Sequence, residues 1–302
     1  GMFAFIVPMA LLGDDQAADV RRMLLEDASF RFIEVFPQKD DRRRRVFPEA
    51  KLSTTVVVAC IEEADWEFRS RTHPGRYVRE SSSSLQIRPS DVLLFDNKNG
   101  VIPSCTQQDW DIVTKILKTE VQRMGEFAVL HQGEVNETIE RPKGTLSEDP
   151  CGPKVLRGAA ITLYTVREAS QGTTMYLDVD GFLTGRGSAT KAFDHQYRRV
   201  GLQRKAPQNN FRRLIAAPTE QGSFCFESIN YCTEADSELS LDLLLALLNS
   251  ELLDWFFRIG SSNAQVNEYQ FNTLPVPRVV PGEEGPVELE KSLEDSELRE
   301  IQ

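Results

Sequence analysis

Residues 3–8, Phe-Ala-Phe-Ile-Val-Pro, form a continuous apolar run closed by proline, the pattern of a strand buried in a parallel sheet. A helix over Asp14 to Leu25 follows, with Asp14 or Asp15 as its cap and Ala18, Val20, Met23, Leu24 and Leu25 on its packed side. Two more strands are expected at Phe30 to Phe36 and, beyond a basic insertion Lys39 to Arg45, at Thr54 to Ile61, where β-branched residues concentrate. This order is a strong constraint. One helix cannot cover both faces of a three-stranded parallel sheet, so residues 1–63 suit the end of a doubly wound α/β domain and not its beginning. Something is expected upstream, and Gly1-Met2 reads as a cleavage remnant before an initiator methionine.

A chain of 302 residues that is 40% hydrophobic fits two units of roughly 150 residues. Charged residues make up 27%, and no apolar run approaches the roughly 18 residues of a membrane span. A soluble, cytoplasmic protein without a membrane partner is therefore expected. Cys60, Cys105, Cys151, Cys225 and Cys232 are odd in number and form no C-x-x-C pair, which speaks against a disulfide framework and a zinc site. The net charge of −11 at first counts against nucleic acid. Its distribution argues otherwise. Between Arg186 and Arg213 eight basic residues face one acid, whereas residues 278–302 carry eight acids against three basic residues.

From Ala64 to Pro103 the pattern is of short alternating pieces, followed by an amphipathic helix over Asp109 to Met124. After a loop-rich stretch, short strands are expected near Met175 to Leu177, Val200 to Gln203, Arg213 to Ala217 and Phe224 to Phe226. An apolar helix over Leu241 to Phe257 then breaks into Gly260-Ser-Ser-Asn-Ala-Gln-Val-Asn267 and ends in Phe271-Asn-Thr-Leu-Pro-Val-Pro277. Residues 64–277 are thus a second, mixed α+β unit, and 278–302 an acidic tail that is frayed or weakly helical.

Several of these segments, in this order, resemble the Taq-type adenine-N6 DNA methyltransferases and the fused (type IIG-like) restriction-modification enzymes built on them. The likeness rests on Phe-Ile-Val-Pro8, Arg21-Arg-Met-Leu-Leu25 and Val46-Phe-Pro-x-x-Lys-Leu-Ser-Thr-Thr-Val-Val-Val58 at the methyltransferase end. It continues in an "LxGxxIxxY" entry at Leu156 to Tyr164, in Gly201-Leu-Gln-Arg204 with Arg212-Arg-Leu-Ile-Ala-Ala217, and in a closing "LNS…(S/T)xN…LPxP". The resemblance implies a mixed α+β chain: the C-terminal remnant of a doubly wound methyltransferase sheet, whose first four strands precede Met2, followed by a target recognition domain. Double-stranded DNA is the implied partner, together with an N-terminal catalytic portion, and S-adenosylmethionine is the parent enzyme's cofactor. The chain itself has neither the Gly-rich turn that holds this cofactor nor the Asn-Pro-Pro-aromatic loop that orients a flipped adenine, so no cofactor and no catalytic residue are expected in it.

By the same resemblance Phe47 stacks on the flipped base in the parent, its ordinary alternative being a plug beneath the strand pair. Arg42, Arg43, Arg44 and Arg45 form either a phosphate clamp or a solvated loop. In the basic block, Arg186, Lys191, Arg198, Arg199, Arg204, Lys205, Arg212 and Arg213 suit phosphates or guanine edges, and Gln203 and Asn210 suit adenine. The bland alternative is a solvated basic face. Asn263, Gln265 and Asn267 can orient a base or simply cap helices and turns. His73, His131 and His195 are scattered and fit ordinary polar roles, and Gly181 to Gly187 reads as a turn. The rival reading is a protein-interaction module or stand-alone specificity-like subunit. Finally, strand 3–7, stripped of a neighbour, is expected to self-associate through its edge.

Overall fold

The computed structural model describes residues 1–62, 66–119, 121–168, 172–207, 210–261 and 264–277. The acidic tail and Asn263 lie outside these. Five strands, β1 (Met2–Pro8), β2 (Ser29–Phe36), β3 (Thr54–Cys60), β4 (Phe68–Thr72) and β5 (Ser83–Ile87), form one sheet in the order β1-β3-β2-β4-β5. β1 and β2 both run antiparallel to β3 and therefore share a direction, β4 is parallel to β2, and β5 is antiparallel to β4. Helix α1 (Ala18–Glu26) carries the chain from β1 to β2. The sheet thus continues past residue 63.

Two expectations need correcting here. β1 is an antiparallel edge strand with Met2, Ala4, Phe5 and Ile6 exposed, where a buried parallel strand was expected. A continuous apolar run looks the same in either place, because periodicity does not report which side lacks a neighbour. In α1, Val20 and Met23 face solvent and Arg21 is fully enclosed beside Leu24 and Leu25. Its guanidinium donates to the carbonyls of Leu11 (2.8 Å), Asp14 (2.9 Å), Asn99 (2.8 Å) and Gly100 (3.1 Å). Carbonyls left over by irregular backbone thereby find a donor.

Helices α2 (Pro89–Phe95) and α3 (Gln107–Leu117) lead into β6 (Gln122–Arg123), β7 (His131–Gln132), α4 (Glu137–Lys143), β8 (Leu146–Ser147), β9 (Val155–Leu156) and the hairpin β10 (Ile161–Thr162) and β11 (Thr165–Val166). Then come β12 (Tyr176–Leu177), α5 (Val179–Leu183), β13 (Arg199–Gln203), β14 (Ala216–Thr219), β15 (Phe224–Cys225) and β16 (Ile229–Thr233). The chain closes with α6 (Leu241–Leu248), α7 (Glu251–Gly260), α8 (Glu268–Asn272) and β17 (Pro275–Val276). Strands β14-β13-β16-β7 form an antiparallel sheet, and β17, the apolar-proline peg, pairs with β6. The fold is mixed α+β. No helix among the described residues is long and apolar enough to cross a membrane.

The single helix expected over Leu241 to Phe257 is two. Asn249 leaves the helix because its side chain completes a strand: its Oδ1 accepts from Ala216 N and its Nδ2 donates to Ala216 O, both at 2.9 Å. Ser250 then caps α7, its Oγ accepting from Leu253 N at 3.2 Å. Helix α3 also stops earlier than expected, at Leu117, and residues 122–123 instead form β6, which pairs with β17. One core runs through both halves of the chain, with Phe95 packed on Trp110 and Phe256 at ring separations of 5.6 and 5.2 Å. Two smaller clusters lie under the β8–β12 region and between the β10–β11 hairpin and the antiparallel sheet.

Candidate nucleic-acid interface

The loop that carries Arg42 to Arg45 leaves the carboxyl end of β2 at Pro37 and returns to β3 at Thr54. Arg45 curls it, donating to the carbonyls of Lys39 (2.5 Å), Asp40 (3.2 Å) and Pro48 (3.2 Å). Arg44 ties it to the Pro74 carbonyl, and Arg42 pairs with Glu49 at the surface. Arg43 is exposed and has no ion pair among the described residues. Phe47, 47% exposed, stands on the outside of this loop and does not plug the strand pair beneath it.

The basic block divides into struts and surface cations. Arg199 and Arg213 are each only 1% exposed. Arg199 pairs with Glu134 at 3.1 Å, donates to the Ser223 carbonyl and lies 4.6 Å over the Tyr231 ring. Arg213 donates to the Gln265 carbonyl at 3.3 Å, and burial, then the nearby Arg258, push its guanidinium down to about 10. Arg212 donates to the carbonyls of Asn249 (2.8 Å) and Ser250 (2.6 Å), at the end of α6 where a cation opposes the helix dipole. Arg186 pairs with Glu140 at 2.7 Å and covers the Phe182 ring. Lys191 bonds the Gln132 carbonyl at 3.0 Å, and Arg204 reaches the Glu227 carbonyl at 3.4 Å. Arg198 and Lys205 are exposed. Asn210 is half-buried, its carbonyl accepting from Arg258 at 3.0 Å, beside Phe211, which is 72% exposed.

Two segments far apart in sequence meet here. Lys205 and Gln265 form an antiparallel backbone bridge, and Val266 N donates to Arg204 O at 2.8 Å. Gln203 and Lys205 line a surface depression of about 460 Å³ with Arg157, Gly158, Gly172 and Ser228. Gly158 is required by close approach: a Cβ there would lie 2.5 Å from the Ser228 carbonyl oxygen. Arg157, absent from the sequence-derived candidates, is held by Glu137 at 2.8 and 3.1 Å and lies over the Phe226 ring. Its proximity to Gln203 depends on folding across 46 positions of chain, which no local pattern reports. Asn267, by contrast, begins α8, its N–H donating to Gln270 Oε1 at 3.2 Å.

Between this region and the first sheet lies a smaller cavity of about 270 Å³, lined by Met9 and Pro37 at the ends of β1 and β2 and by Arg213, Arg258 and Ser261. It puts the carboxyl edge of the first sheet and the polar turn after α7 on one recess. Among the described residues no cluster of His, Cys, Asp and Glu could hold a metal ion.

No protein-family model matches the chain, and no curated protein does. Among solved structures the chain is similar to the type IIL restriction-modification enzyme MmeI in complex with DNA, with a TM-score of 0.50 and 12% identity, over 93% of this chain and 40% of that one. It is more loosely similar to the type IIG restriction endonuclease BpuSI, with a TM-score of 0.37 and 13% identity, over 92% of this chain and 40% of that one. The chain therefore spans about two fifths of the length of either protein. Its fold is related to that of a restriction-modification enzyme.

Proposed function

We propose that the chain is the DNA-recognition part of an adenine-specific DNA methyltransferase of a restriction-modification system. Residues 1–63 would supply the closing strands of the methyltransferase sheet, and residues 64–277 would form the target recognition unit, whose first two strands, β4 and β5, extend that sheet. The bridge between Lys205 and Gln265 carries this reading, because it joins the basic block to the polar turn of the C-terminal motif beside Gln203 and Arg157. Amides and cations on one rigid surface suit base edges and phosphates respectively. Arg42, Arg43, Arg198 and Lys205 supply the exposed charge, whereas Arg199, Arg212 and Arg213 hold the unit together.

The sequence contains neither a Gly-x-Gly-x-x-Gly run nor an Asn-Pro-Pro-aromatic loop, so S-adenosylmethionine would be held by another portion of the enzyme. Methyl transfer belongs to the N-terminal catalytic portion that would partner it, with Phe47 stacking on the flipped adenine of the complete enzyme. The 302-residue chain should bind a preferred duplex in a random-site selection without methylating it. Anisotropy titrations should show affinity falling with salt, and Arg43→Gln should lower the slope of log affinity against log salt by about 0.9. A chain that retains no duplex at low salt would sink the reading.

A further inference from the structure

The hairpin β10–β11 turns through only two residues, Leu163 and Tyr164, since Thr162 pairs directly with Thr165. The turn is closed by the Thr162 hydroxyl, which lies 2.7 Å from both the carbonyl and the hydroxyl oxygen of Thr165. Leu163 packs inward against a buried cluster, while Tyr164 points out and is 52% exposed. Its φ is +63°, the one positive value at a non-glycine among the described residues. Glycine or asparagine would occupy this position with less strain, and an exposed ring gains little burial to offset the cost. The backbone is also tied from a third side, Tyr164 N donating to the Ala216 carbonyl of β14 at 2.9 Å.

A strained, exposed aromatic on a rigid mount borders a second depression of about 700 Å³, whose lining includes Leu156, Val166, Pro218 and Arg198 together with the polar Glu220 and Gln221. An aromatic ring and apolar side chains beside a guanidinium match a flat heteroaromatic ring that carries a phosphate. We propose that Tyr164 is a stacking platform for a base of the bound DNA, with Arg198 on the adjoining phosphate. The assignment rests on the DNA-recognition reading and adds to it a contact that is independent of salt. A tyrosine fixed before binding loses little freedom on complex formation, and stacking on an aromatic side chain accepts any base. Its role is therefore to hold a displaced or partly unstacked base in place, beside the residues that read sequence.

The test uses the 302-residue chain with the duplex enriched by selection, anisotropy at several salt concentrations, and thermal melting. Tyr164→Ala should weaken binding about 5- to 100-fold with the salt slope unchanged, whereas Tyr164→Phe should stay within about threefold of the parent chain. Arg198→Gln should lower the slope by about one. Tyr164→Gly should melt above the parent chain, because the φ strain is relieved, and yet bind as weakly as Tyr164→Ala. If Tyr164→Ala binds within about twofold of a parent chain that shows salt-sensitive binding, the stacking role falls and the DNA-recognition reading stands. If Tyr164→Gly melts below the parent chain, the ring is a structural element and the proposal is overturned. A parent chain that binds no duplex overturns both.

Discussion

Glu134 and Arg199 meet with both side chains fully enclosed. Taking two charges out of water costs several kcal/mol per ion, and their attraction offsets this only when the remaining polar atoms also find partners. Most of them do: Cys225 N donates to Glu134 at 3.1 Å and Arg199 also reaches the Ser223 carbonyl, while Arg199 Nε has no hydrogen-bond partner among the described residues and the guanidinium lies over the Tyr231 ring. Burial pushes the Glu134 carboxyl up, and Arg199 offsets this only in part, so the group stays above its ordinary value. Removing one partner leaves the other charge stranded. Arg199→Met should therefore cost about 3–5 kcal/mol in urea unfolding, and adding Glu134→Leu to it should recover much of the loss. The salt slope of DNA binding should not change, whereas a direct phosphate contact by Arg199 would lower it by about one. In one dimension the eight cations from Arg186 to Arg213 look equivalent. What separates Arg199 and Arg213 from Arg198 and Lys205 is a carboxylate or carbonyl supplied from remote chain, which composition does not encode.

At the scale of elements, β4 is attached to the first sheet by side chains as well as by its ladder. Glu34 of β2 accepts from Arg71 of β4 at 2.6 and 3.0 Å, and its Oε2 lies 2.6 Å from His73 Nε2, while Ser82 near the start of β5 bonds the other ring nitrogen at 2.8 Å. Burial acts to raise the Glu34 carboxyl, but hydrogen bonds from Arg71 and His73 outweigh it and hold the group below its ordinary value of 4.5. A carboxyl depressed in the folded state binds fewer protons there than in the unfolded chain. Its stabilisation is thus complete above the unfolded value and fades as pH falls through the folded one. Urea midpoints measured from neutral pH downward should drop below about pH 4.5, and Glu34→Gln should be less stable at neutral pH but show a shallower acid limb. An acid limb of equal steepness in the variant would refute this role. The strands β1, β2 and β3 fall within a residue or so of the expected 3–8, 30–36 and 54–61, because β-branched and aromatic runs bounded by turn residues are local signals. The break at Asn249 was not legible in the same way. An asparagine directly after Leu247 and Leu248 reads as helix until Ala216 is known to need a hydrogen-bonding partner.

The molecule as a whole has one sheet edge that is both long and apolar. β1 pairs along all seven residues with β3, and among the described residues no strand lies on its other side. Phe5 and Ile6, on opposite faces of the strand, are 57% and 59% exposed, and no charged residue, bulge or internal proline blunts the edge. Edges of this kind template pairing with another chain. In the complete enzyme of the proposed function the catalytic portion would cover it, and in its absence a second copy is the available partner. The 302-residue chain should therefore show concentration-dependent association in sedimentation velocity. Its net charge of −11 makes copies repel, so raising salt should strengthen this association by screening. DNA binding should weaken over the same range, because there salt competes with counterion release. Opposite salt responses separate the two surfaces in one experiment. Phe5→Lys with Ile6→Lys should abolish the association and leave the melting temperature nearly unchanged, since neither side chain is buried. A parent chain that stays monomeric at high protein and high salt would show that the edge is already protected.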